Sequence, residues 1–318
     1  MIPKQQEMGD IGGCLAWPIC LSVKEKLQLI ESFHTFVLLR IQKSKTMKRI
    51  SLLLLCVIAF GASTAYGWGR LGHSTVAYIA ESYLTPKAKK MIDKYLDGKS
   101  IISYASYPDD YRSEHLIDVG FDATNTPRMT VWGHSFQANV DGSIYRSERR
   151  GTEYVKNCLL RIEPVIENFK KNHKEMSDSA RVVSLAYIVH IVGDIHCPKH
   201  VRYEDEQSSG QYPVIFRGKE ISYHSYWDGH LLKTYHDWGY ADVAHLIDRY
   251  TKSERKEIMK GDVYTWAEDT ARRGRWTVSC VAGTNITRLM SNEDVKFAEQ
   301  QLARAGYRLA AVLNDIFK

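Results

Sequence analysis

Cysteine is scarce in this chain, with six residues in 318. Beyond residue 67 only Cys158, Cys197 and Cys280 occur, and three cysteines do not make a disulfide framework. None of them has the C-x2-C spacing of a structural zinc site. A disulfide-stapled fold is therefore excluded, although an exported chain could form one disulfide and leave one thiol over.

A strong excess of one charge is also absent. The whole chain carries +6, from 43 Lys/Arg and 37 Asp/Glu. Residues 1–67 hold eight of the basic and four of the acidic residues, so residues 68–318 carry only +2. A balance so close to neutral does not by itself indicate nucleic-acid binding.

Strand signals are few, and internal repeats, low-complexity tracts and interdomain linkers are missing. One β-hairpin is predicted around Gly218, from 212–216 and 221–223. Apolar residues at helical spacing predict most of the remaining structure. The predicted helices are 73–84, 85–96 with Thr85 as N-cap, 152–171, 177–196, 224–236, 242–250, a segment around Trp266, and 292–316. The sequence thus predicts a single, mostly α domain with a minor β-hairpin.

No apolar run is long enough for a comfortable membrane span. Met47-Lys48-Arg49, the apolar stretch 50–60 and the small residues up to Gly67 are typical of a signal peptide over 47–67. A signal normally begins a chain, so we interpret residues 1–46 as an over-long gene start. The alternative is an N-terminal membrane anchor. Cleavage after Gly67 would leave 68–318 as one domain, exported to a periplasm or to the medium.

Cleavage would also make Trp68 a new N-terminus. Its free α-amino group and its carbonyl could chelate a metal, and His73 is close enough in sequence to supply a third ligand. We therefore predict that processing creates part of a metal site.

Two His/Asp pairs are spaced for metal binding. His190 and Asp194 are four residues apart in an apolar helix, so both project from one buried face. A hydrogen-bonded core pair is the alternative explanation. His200 follows the break at Pro198 and can turn back to the same cavity, whereas His196 falls on the other side of the helix and suggests a supporting role.

His224 and Asp228 repeat the spacing on a second helix, which weakens the alternative of a core pair. Imidazole and carboxylate ligands without thiolate suit zinc in an open site, although ligand type alone admits other divalent ions. Two further segments offer ligands, namely Asp109 or Asp110 with Arg112, and His134. Taken alone, either aspartate reads as a turn residue and His134 as structural.

Together these segments resemble the S(1)/P(1)-type nucleases, which are secreted zinc-dependent enzymes related to zinc-dependent phospholipase C. The resemblance runs from Trp68 to the C-terminal helix. It is carried by Trp68-Gly69-x-x-Gly72-His73, Ala105-Ser106-x-x-Asp109-x-x-Arg112, Trp132-x-His134, His190-x-x-x-Asp194-x-His196-x-Pro198-x-His200, and His224 with Trp227-Asp228. It implies a helical domain of the phospholipase C/nuclease type with three zinc ions.

The resemblance also implies a ligand set. Asp109, His134, His190 and Asp194 would hold one zinc. Trp68, His73 and the shared Asp194 would hold a second zinc close by, and His200, His224 and Asp228 the third. Arg112 would sit beside the phosphate, and Asp109 would orient or deprotonate the attacking water as well as bind metal.

The implied activity is hydrolysis of single-stranded DNA and RNA by a zinc-activated hydroxide. It would be endonucleolytic with 5′-phosphate products, and 3′-nucleotidase activity often accompanies it. We expect a monomer whose substrates are single-stranded nucleic acid and nucleotides, without stable membrane association after cleavage. Unpaired bases could stack on aromatic walls, for which the candidates are Trp132, Phe136, Tyr203 and Tyr226, although core packing explains them equally well.

Two rival functions are a phospholipase C acting on lipid headgroups and a non-catalytic exported metal-binding protein. Asp228 favours the nuclease, because the phospholipases would use glutamate there. The chain departs from the nuclease pattern at Tyr107, Ser135, Gln137 and Cys197, and in the glycine-rich element near Ser208-Ser209-Gly210. These differences concern substrate preference and leave the predicted zinc ligands intact.

Overall fold

The described part of the chain is mostly helical, as the sequence predicts. The computed structural model describes residues 68–110, 133–147, 149–150, 153–154, 157–206, 210–289 and 291–318. Its α-helices are α1 (Gly69–Ser82), α2 (Pro86–Tyr95), α3 (Tyr107–Asp110), α4 (Leu159–Asn172), α5 (Asp178–Asp194), α6 (Tyr223–Ser225), α7 (Leu231–Tyr235), α8 (Tyr240–Ile247), α9 (Lys252–Ile258), α10 (Val263–Gly274), α11 (Ile286–Leu289) and α12 (Ser291–Ile316). Tighter 3-10 turns lie at Ile101–Tyr104, Pro198–His200 and Arg275–Ser279, and a π turn at Tyr226–His230.

The strands that the structure describes are short and pair in twos. They are β1 (Phe136–Ala138), β2 (Arg149–Arg150), β3 (Glu153–Tyr154), β4 (Val201–Tyr203), β5 (Pro213–Phe216) and β6 (Lys219–Ser222). β1 pairs in parallel with β4, while β2 with β3 and β5 with β6 are antiparallel. The sheet content is therefore minor, and the core is made by helices.

Helix α5 lies at the centre of this core. Every residue from Val183 to Asp194 is buried, so the helix has no solvent-facing side over its last three turns. It packs against α1, α3, α4 and α12. Ser177 caps its first turn by accepting a hydrogen bond from the backbone N–H of Ala180. Polar residues at the C-terminal end of α5 are consequently held in a dry, fixed environment.

The long C-terminal helix α12 packs along α1, which carries His73. The packing is tight at Gly306 of α12, where a Cβ atom would lie 2.5 Å from Cγ2 of Ile79. Helix α2 begins as predicted, with Pro86 in its first turn and the Thr85 hydroxyl accepting from the backbone N–H of Ala88. These contacts fix the position of α1 against the centre of the fold.

The predicted hairpin around Gly218 is confirmed, with β5 and β6 joined by a two-residue turn. Arg217 and Gly218 both have positive φ, +49° and +73°, which matches the twist of a tight hairpin.

The predicted helix 152–171 begins too early. Arg149–Arg150 and Glu153–Tyr154 form a strand pair, and the helix starts only at Leu159, whose backbone N–H donates to the side chain of Asn157. At Glu153–Tyr154 the predicted helix is thus wrong, because these two residues pair with Arg149–Arg150 instead.

Other boundaries also differ from the predictions. The segment 224–236 is helical but passes through the π turn, and the helix expected at 242–250 runs from Tyr240 to Ile247. Helix α9 was not predicted, although Thr251 and Glu254 form a capping box at its start. The parallel pair β1–β4 also escaped prediction, because each strand has only three residues.

Several sequence predictions lie outside the described residues: segment 1–46, the signal peptide 47–67, Arg112 and Trp132. The described residues belong to one compact unit, Ala65–Lys318. A search of the described helices finds none with the length and apolar character needed to cross a membrane.

Candidate metal centre

The C-terminal turn of α5 places His190 and Asp194 side by side. His190 Nε2 lies 3.1 Å from Asp194 Oδ2, and both side chains are fully buried. His190 Nδ1 donates a hydrogen bond of 2.8 Å to the carbonyl of Ala105, which leaves Nε2 as the nitrogen that faces Asp194. A carbonyl behind a histidine in this way is the usual support of a metal ligand.

Asp109 and His134 complete a first group around this pair. His134 Nδ1 lies 2.8 Å from Asp194 Oδ2, and both His134 Nδ1 and His190 Nε2 lie 3.6 Å from Asp109 Oδ1. Ligand atoms that are about 2.1 Å from a zinc ion at tetrahedral angles lie about 3.4 Å from one another. The observed separations bracket that value, so the four side chains fit one metal ion.

His73 and Trp68 lie on the other side of Asp194. His73 Nε2 is 3.3 Å from Asp194 Oδ1, and its ring stacks on His190 with centroids 4.0 Å apart. The Trp68 indole N–H donates a hydrogen bond of 3.0 Å to the carbonyl of Gly193. Asp194 Oδ1 also lies 3.3 Å from Nδ1 of His200, whereas Oδ2 faces His134 and His190. The two oxygens of Asp194 thus face different ligands, as expected for a carboxylate shared by two metals.

Two glycines allow α1 to lie close to the end of α5 and to the π turn. A Cβ on Gly193 would lie 2.9 Å from Nδ1 of His73. Gly69 has φ +57°, and a Cβ there would lie 2.5 Å from the backbone oxygen of Asp228. Glycine is therefore required where α1 meets the end of α5 and the π turn.

A third group forms between the 3-10 turn after Pro198 and the π turn. His224 Nε2 lies 3.0 Å from Asp228 Oδ2, and His200 Nε2 lies 3.9 Å from Asp228 Oδ1. The rings of His200 and His224 stack, with centroids 5.3 Å apart. π turns are rare and occur frequently at functional sites, and this one carries Asp228.

Cys197 also belongs to this third group, which the sequence analysis did not anticipate. Its sulfur, one nitrogen of His200 and one carboxylate oxygen of Asp228 all lie within 4.8 Å of one another. The available signal was its place in the chain, between two predicted ligands, Asp194 and His200.

Polar atoms without partners concentrate at this centre. Several buried polar atoms make no hydrogen bond among the described residues, although some face each other at ion-pair distance, as His73 Nε2 faces Asp194 Oδ1 and His224 Nε2 faces Asp228 Oδ2. They are both ring nitrogens of His73, Asp194 Oδ1, His200 Nδ1, His224 Nδ1 and Asp228 Oδ2. A buried polar atom left unpaired costs about 1–3 kcal/mol. So many in one place fit ligands whose partners are metal ions.

Burial opposes the charge of His190, but Asp194 and Asp109 raise its pKa to about 9, and burial raises the pKa of Asp228 to about 6. The protonation states of three other ligands suit metal binding without a change. Burial, with His190 nearby, lowers the pKa of His73, and burial holds the pKa of His200 well below its ordinary value. Burial opposes ionisation of Asp194, but His190 and His200 outweigh it and hold the pKa of that carboxyl well below its ordinary value. Neutral imidazole and ionised carboxylate are the forms that bind metals.

Two of the predicted ligands reach the surface more than the others. The side chains of His134 and His224 are 12% and 10% exposed, whereas those of His73, His190, Asp194 and His200 are at most 2% exposed. The centre is therefore recessed, and it opens on the side where His134 and His224 lie.

Comparisons with known proteins identify the family. A family model described as S1/P1 Nuclease matches residues 68–318. The chain belongs to the S1/P1 nuclease family. Nuclease P1 of Penicillium citrinum is 26% identical over 286 residues, covering 78% of this chain and 97% of that protein.

Further relatives come from fungi and plants. Nuclease S1 of Aspergillus oryzae is 25% identical and covers 80% of this chain and 93% of its own. Endonuclease 2 of Arabidopsis thaliana is 23% identical over 86% of this chain and 98% of its own. Membership of the S1/P1 nuclease family supports a nuclease activity for the chain, and the three groups of metal-binding side chains fit it.

Several other residues of this S1/P1 nuclease have clear places in the structure. His196 donates from Nδ1 to the Val192 carbonyl and accepts at Nε2 from Arg308, away from Asp194. Phe136, Tyr203 and Tyr226 are buried, and the Tyr203 and Tyr226 hydroxyls bond Ala271 and Asp294. These aromatic rings are core residues and do not form a wall for bases.

Proposed function

We propose that the chain is an exported, three-zinc phosphodiesterase that hydrolyses single-stranded DNA and RNA to 5′-phosphate products. The observation that carries the proposal is the cluster of buried, unpartnered nitrogen and oxygen atoms on His73, Asp194, His200, His224 and Asp228. Family membership supports the nuclease activity, and imidazole with carboxylate is a donor set that suits zinc.

The residues divide into three ligand groups in this proposal. Asp109, His134, His190 and Asp194 hold one zinc, and His200, His224 and Asp228 hold another. Asp194 also serves a zinc held by His73 and by the amino group and carbonyl of Trp68. Zinc supplies acidified water and positive charge for the phosphoryl oxygens.

Other groups of the protein position the metal ligands, the water and the phosphate. Ala105 fixes the ring of His190, and Asp109 Oδ1 stands equidistant from His134 and His190, where it can accept a proton from water. Arg112 follows Asp109 by three residues, and we assign it to the phosphate. Because the ligands are recessed, an unpaired strand that can bend towards His134 and His224 reaches them more easily than a stacked duplex.

The deciding experiment incubates the purified, zinc-loaded protein with single-stranded DNA, RNA, a 3′-nucleotide and phosphatidylcholine. Hydrolysis of nucleic acid with 5′-phosphate ends is expected. Cleavage of phosphatidylcholine alone would identify a phospholipase, and no cleavage of any substrate would leave a metal-binding protein.

Substitution of the shared carboxylate tests the arrangement of the metals. Asp194→Asn should lower the metal content by about two ions per chain and abolish hydrolysis, because Asp194 faces two groups. Asp110→Asn is the matched control, since Asp110 pairs with Arg70 near the surface. Full metal content and activity in Asp194→Asn would refute the shared role.

The N-terminus tests the contribution of Trp68. Protein that begins at Trp68 should bind three zinc ions, and protein that retains Gly67 should bind two, because an amide nitrogen has no free lone pair to offer. Elemental analysis of the two forms measures this difference. Equal content in both would remove Trp68 from the ligand set.

A further inference from the structure

Cys197 stands apart from the other cysteines that the structure describes. Cys158, Cys197 and Cys280 are all buried free thiols. Only the sulfur of Cys197 falls within a group of potential metal ligands among the described residues.

The distances match coordination. Cys197 Sγ lies 3.9 Å from Asp228 Oδ1, and His200 Nε2 lies at the same distance from that oxygen. A zinc–sulfur bond of about 2.3 Å and a zinc–oxygen bond of about 2.1 Å, at a tetrahedral angle, separate the two ligand atoms by about 3.6 Å. A metal at the third group would therefore lie within reach of the sulfur.

Backbone hydrogen bonds fix this cysteine between two ligands. The Cys197 N–H donates to the carbonyl of Asp194 at 2.9 Å, and the His200 N–H donates to the carbonyl of Cys197 at 3.0 Å. The 3-10 turn that carries His200 also begins directly after Cys197. The same local structure thus places His200 and Cys197 beside Asp228.

The neighbouring ligands supply an independent sign that a cation belongs here. Asp228 Oδ2 is buried and makes no hydrogen bond among the described residues, although His224 Nε2 lies 3.0 Å from it, as expected if a cation lies between the two. A weak hydrogen bond from the thiol to Asp228 Oδ1 accounts for the position of Cys197, but it leaves Asp228 Oδ2 without a hydrogen bond.

We propose that Cys197 is a thiolate ligand of the third metal, in one group with His200 and Asp228, whose other carboxylate oxygen faces His224. This inference rests on the metal loading assumed in the proposed function. Metal binding converts the thiol to a thiolate, with release of its proton to solvent. The sulfur would add one protein ligand to the third metal and would leave it fewer positions for water.

The test replaces the bound metal with cobalt(II). A thiolate ligand gives cobalt(II) an intense near-ultraviolet charge-transfer band, which nitrogen and oxygen ligands do not give. The cobalt-loaded wild type and Cys280→Ser should both show this band, and Cys197→Ser should lose it. Serine keeps a hydroxyl donor for Asp228, so the variant preserves the hydrogen bond that the rival explanation requires.

A second measurement needs no variant. X-ray absorption at the zinc edge of the wild type should reveal a sulfur neighbour at about 2.3 Å, averaged over the bound zinc ions. Absence of both the band and the sulfur neighbour from metal-loaded protein would overturn the inference. A band that persists in Cys197→Ser would overturn it as well.

These results separate the inference from the proposed function. Sulfur coordination in a protein that cleaves no nucleic acid would support the inference while refuting the nuclease. Nucleic-acid cleavage by protein without sulfur coordination would refute the inference and leave the nuclease standing.

Discussion

At the scale of single residues, Gly193 sets two physical effects against each other. Alanine is favoured over glycine within a helix by about 1 kcal/mol. A Cβ at this position would nevertheless lie 2.9 Å from Nδ1 of His73. We expect Gly193→Ala to fold normally and to lose metal from the centre, because His73 must move away from Asp194. Elemental analysis together with thermal unfolding of the metal-free protein measures both effects.

Gly306 provides the matched control. It is also a helical glycine, but its Cβ would lie 2.5 Å from Ile79 in the packing between α12 and α1. Gly306→Ala should therefore destabilise the metal-free protein by about 1–3 kcal/mol, the usual cost of overpacking. Equal losses of stability in the two variants would show that Gly193 is a packing residue and has no special relation to His73.

Asp294 is a buried carboxyl whose charge opposes folding. Burial raises its pKa to about 7, although the Tyr226 hydroxyl donates to it. The folded state therefore binds the proton more tightly than the unfolded state, so this group costs stability as pH rises from about 4 to about 7. We expect the free energy of unfolding of Asp294→Asn, relative to that of the wild type, to be larger at pH 8 than at pH 5.

Urea unfolding of both proteins at the two pH values measures this relative effect. Comparison with the wild type at each pH removes contributions from other titrating groups. The prediction is wrong if the difference between the two proteins is the same at pH 5 and pH 8.

At the scale of elements, Asp269 joins α10 to α12. It accepts hydrogen bonds from Arg273 of its own helix and from Arg304 and Arg308 of α12. Burial opposes its charge, but the three arginines hold its pKa at about 2. We expect Asp269→Asn to destabilise the protein by roughly 1.5–3 kcal/mol at neutral pH, the range for hydrogen bonds to charged groups.

The pH dependence of this loss has a definite sign. Because the folded pKa lies below the ordinary value, the stabilisation is present above about pH 4 and disappears as pH falls towards 2. Denaturant unfolding of Asp269→Asn and Glu268→Gln measures it, since Glu268 forms only an exposed pair with Arg272. A similar small effect of both substitutions would contradict a role for Asp269 in joining the helices.

Elements with local signals were predictable, and elements with long-range causes were not. Thr85 with Pro86 predicts the start of α2, and the apolar run before Pro198 predicts α5. The strands Arg149–Arg150 and Glu153–Tyr154 do not follow the predicted helix, because they pair with each other. The three-residue pair of β1 with β4 depends on contacts between residues 65 apart, such as Phe136 with Val201.

The candidate site was more predictable than the fold that surrounds it. Ligand pairs at helical spacing, such as His190 with Asp194, indicate their shared face from sequence alone. The choice between Asp109 and Asp110 needed the resemblance, and the structure distinguishes the two by burial. Cys197 is not predicted as a ligand, because a single cysteine beside a proline has no characteristic spacing. Only the fold brings its sulfur close to Asp228.

At the scale of the whole molecule, the centre gathers ligands from α1, α3, α5, α6, the π turn and the segments near residues 134 and 200. Metal bound only by the folded state stabilises it by about 2.7 kcal/mol for each site at a hundredfold excess over Kd. We therefore expect chelation to lower the melting temperature by at least about 5 °C, at 2–4 °C per kcal/mol for a domain of this size. Added zinc should restore it, as calorimetry would show.

Two variants test whether the loss of stability on chelation comes from the metal ions. Asp110→Asn should lose as much stability on chelation as the wild type, because its carboxyl faces Arg70 near the surface. Asp194→Asn should lose much less, since its metal-loaded form already lacks two of the ions. An unchanged melting temperature on chelation of the wild type would mean that the buried histidines and carboxylates are stable without a cation. That result would contradict the cost assigned to their unpartnered atoms, and with it the physical basis of the metal centre.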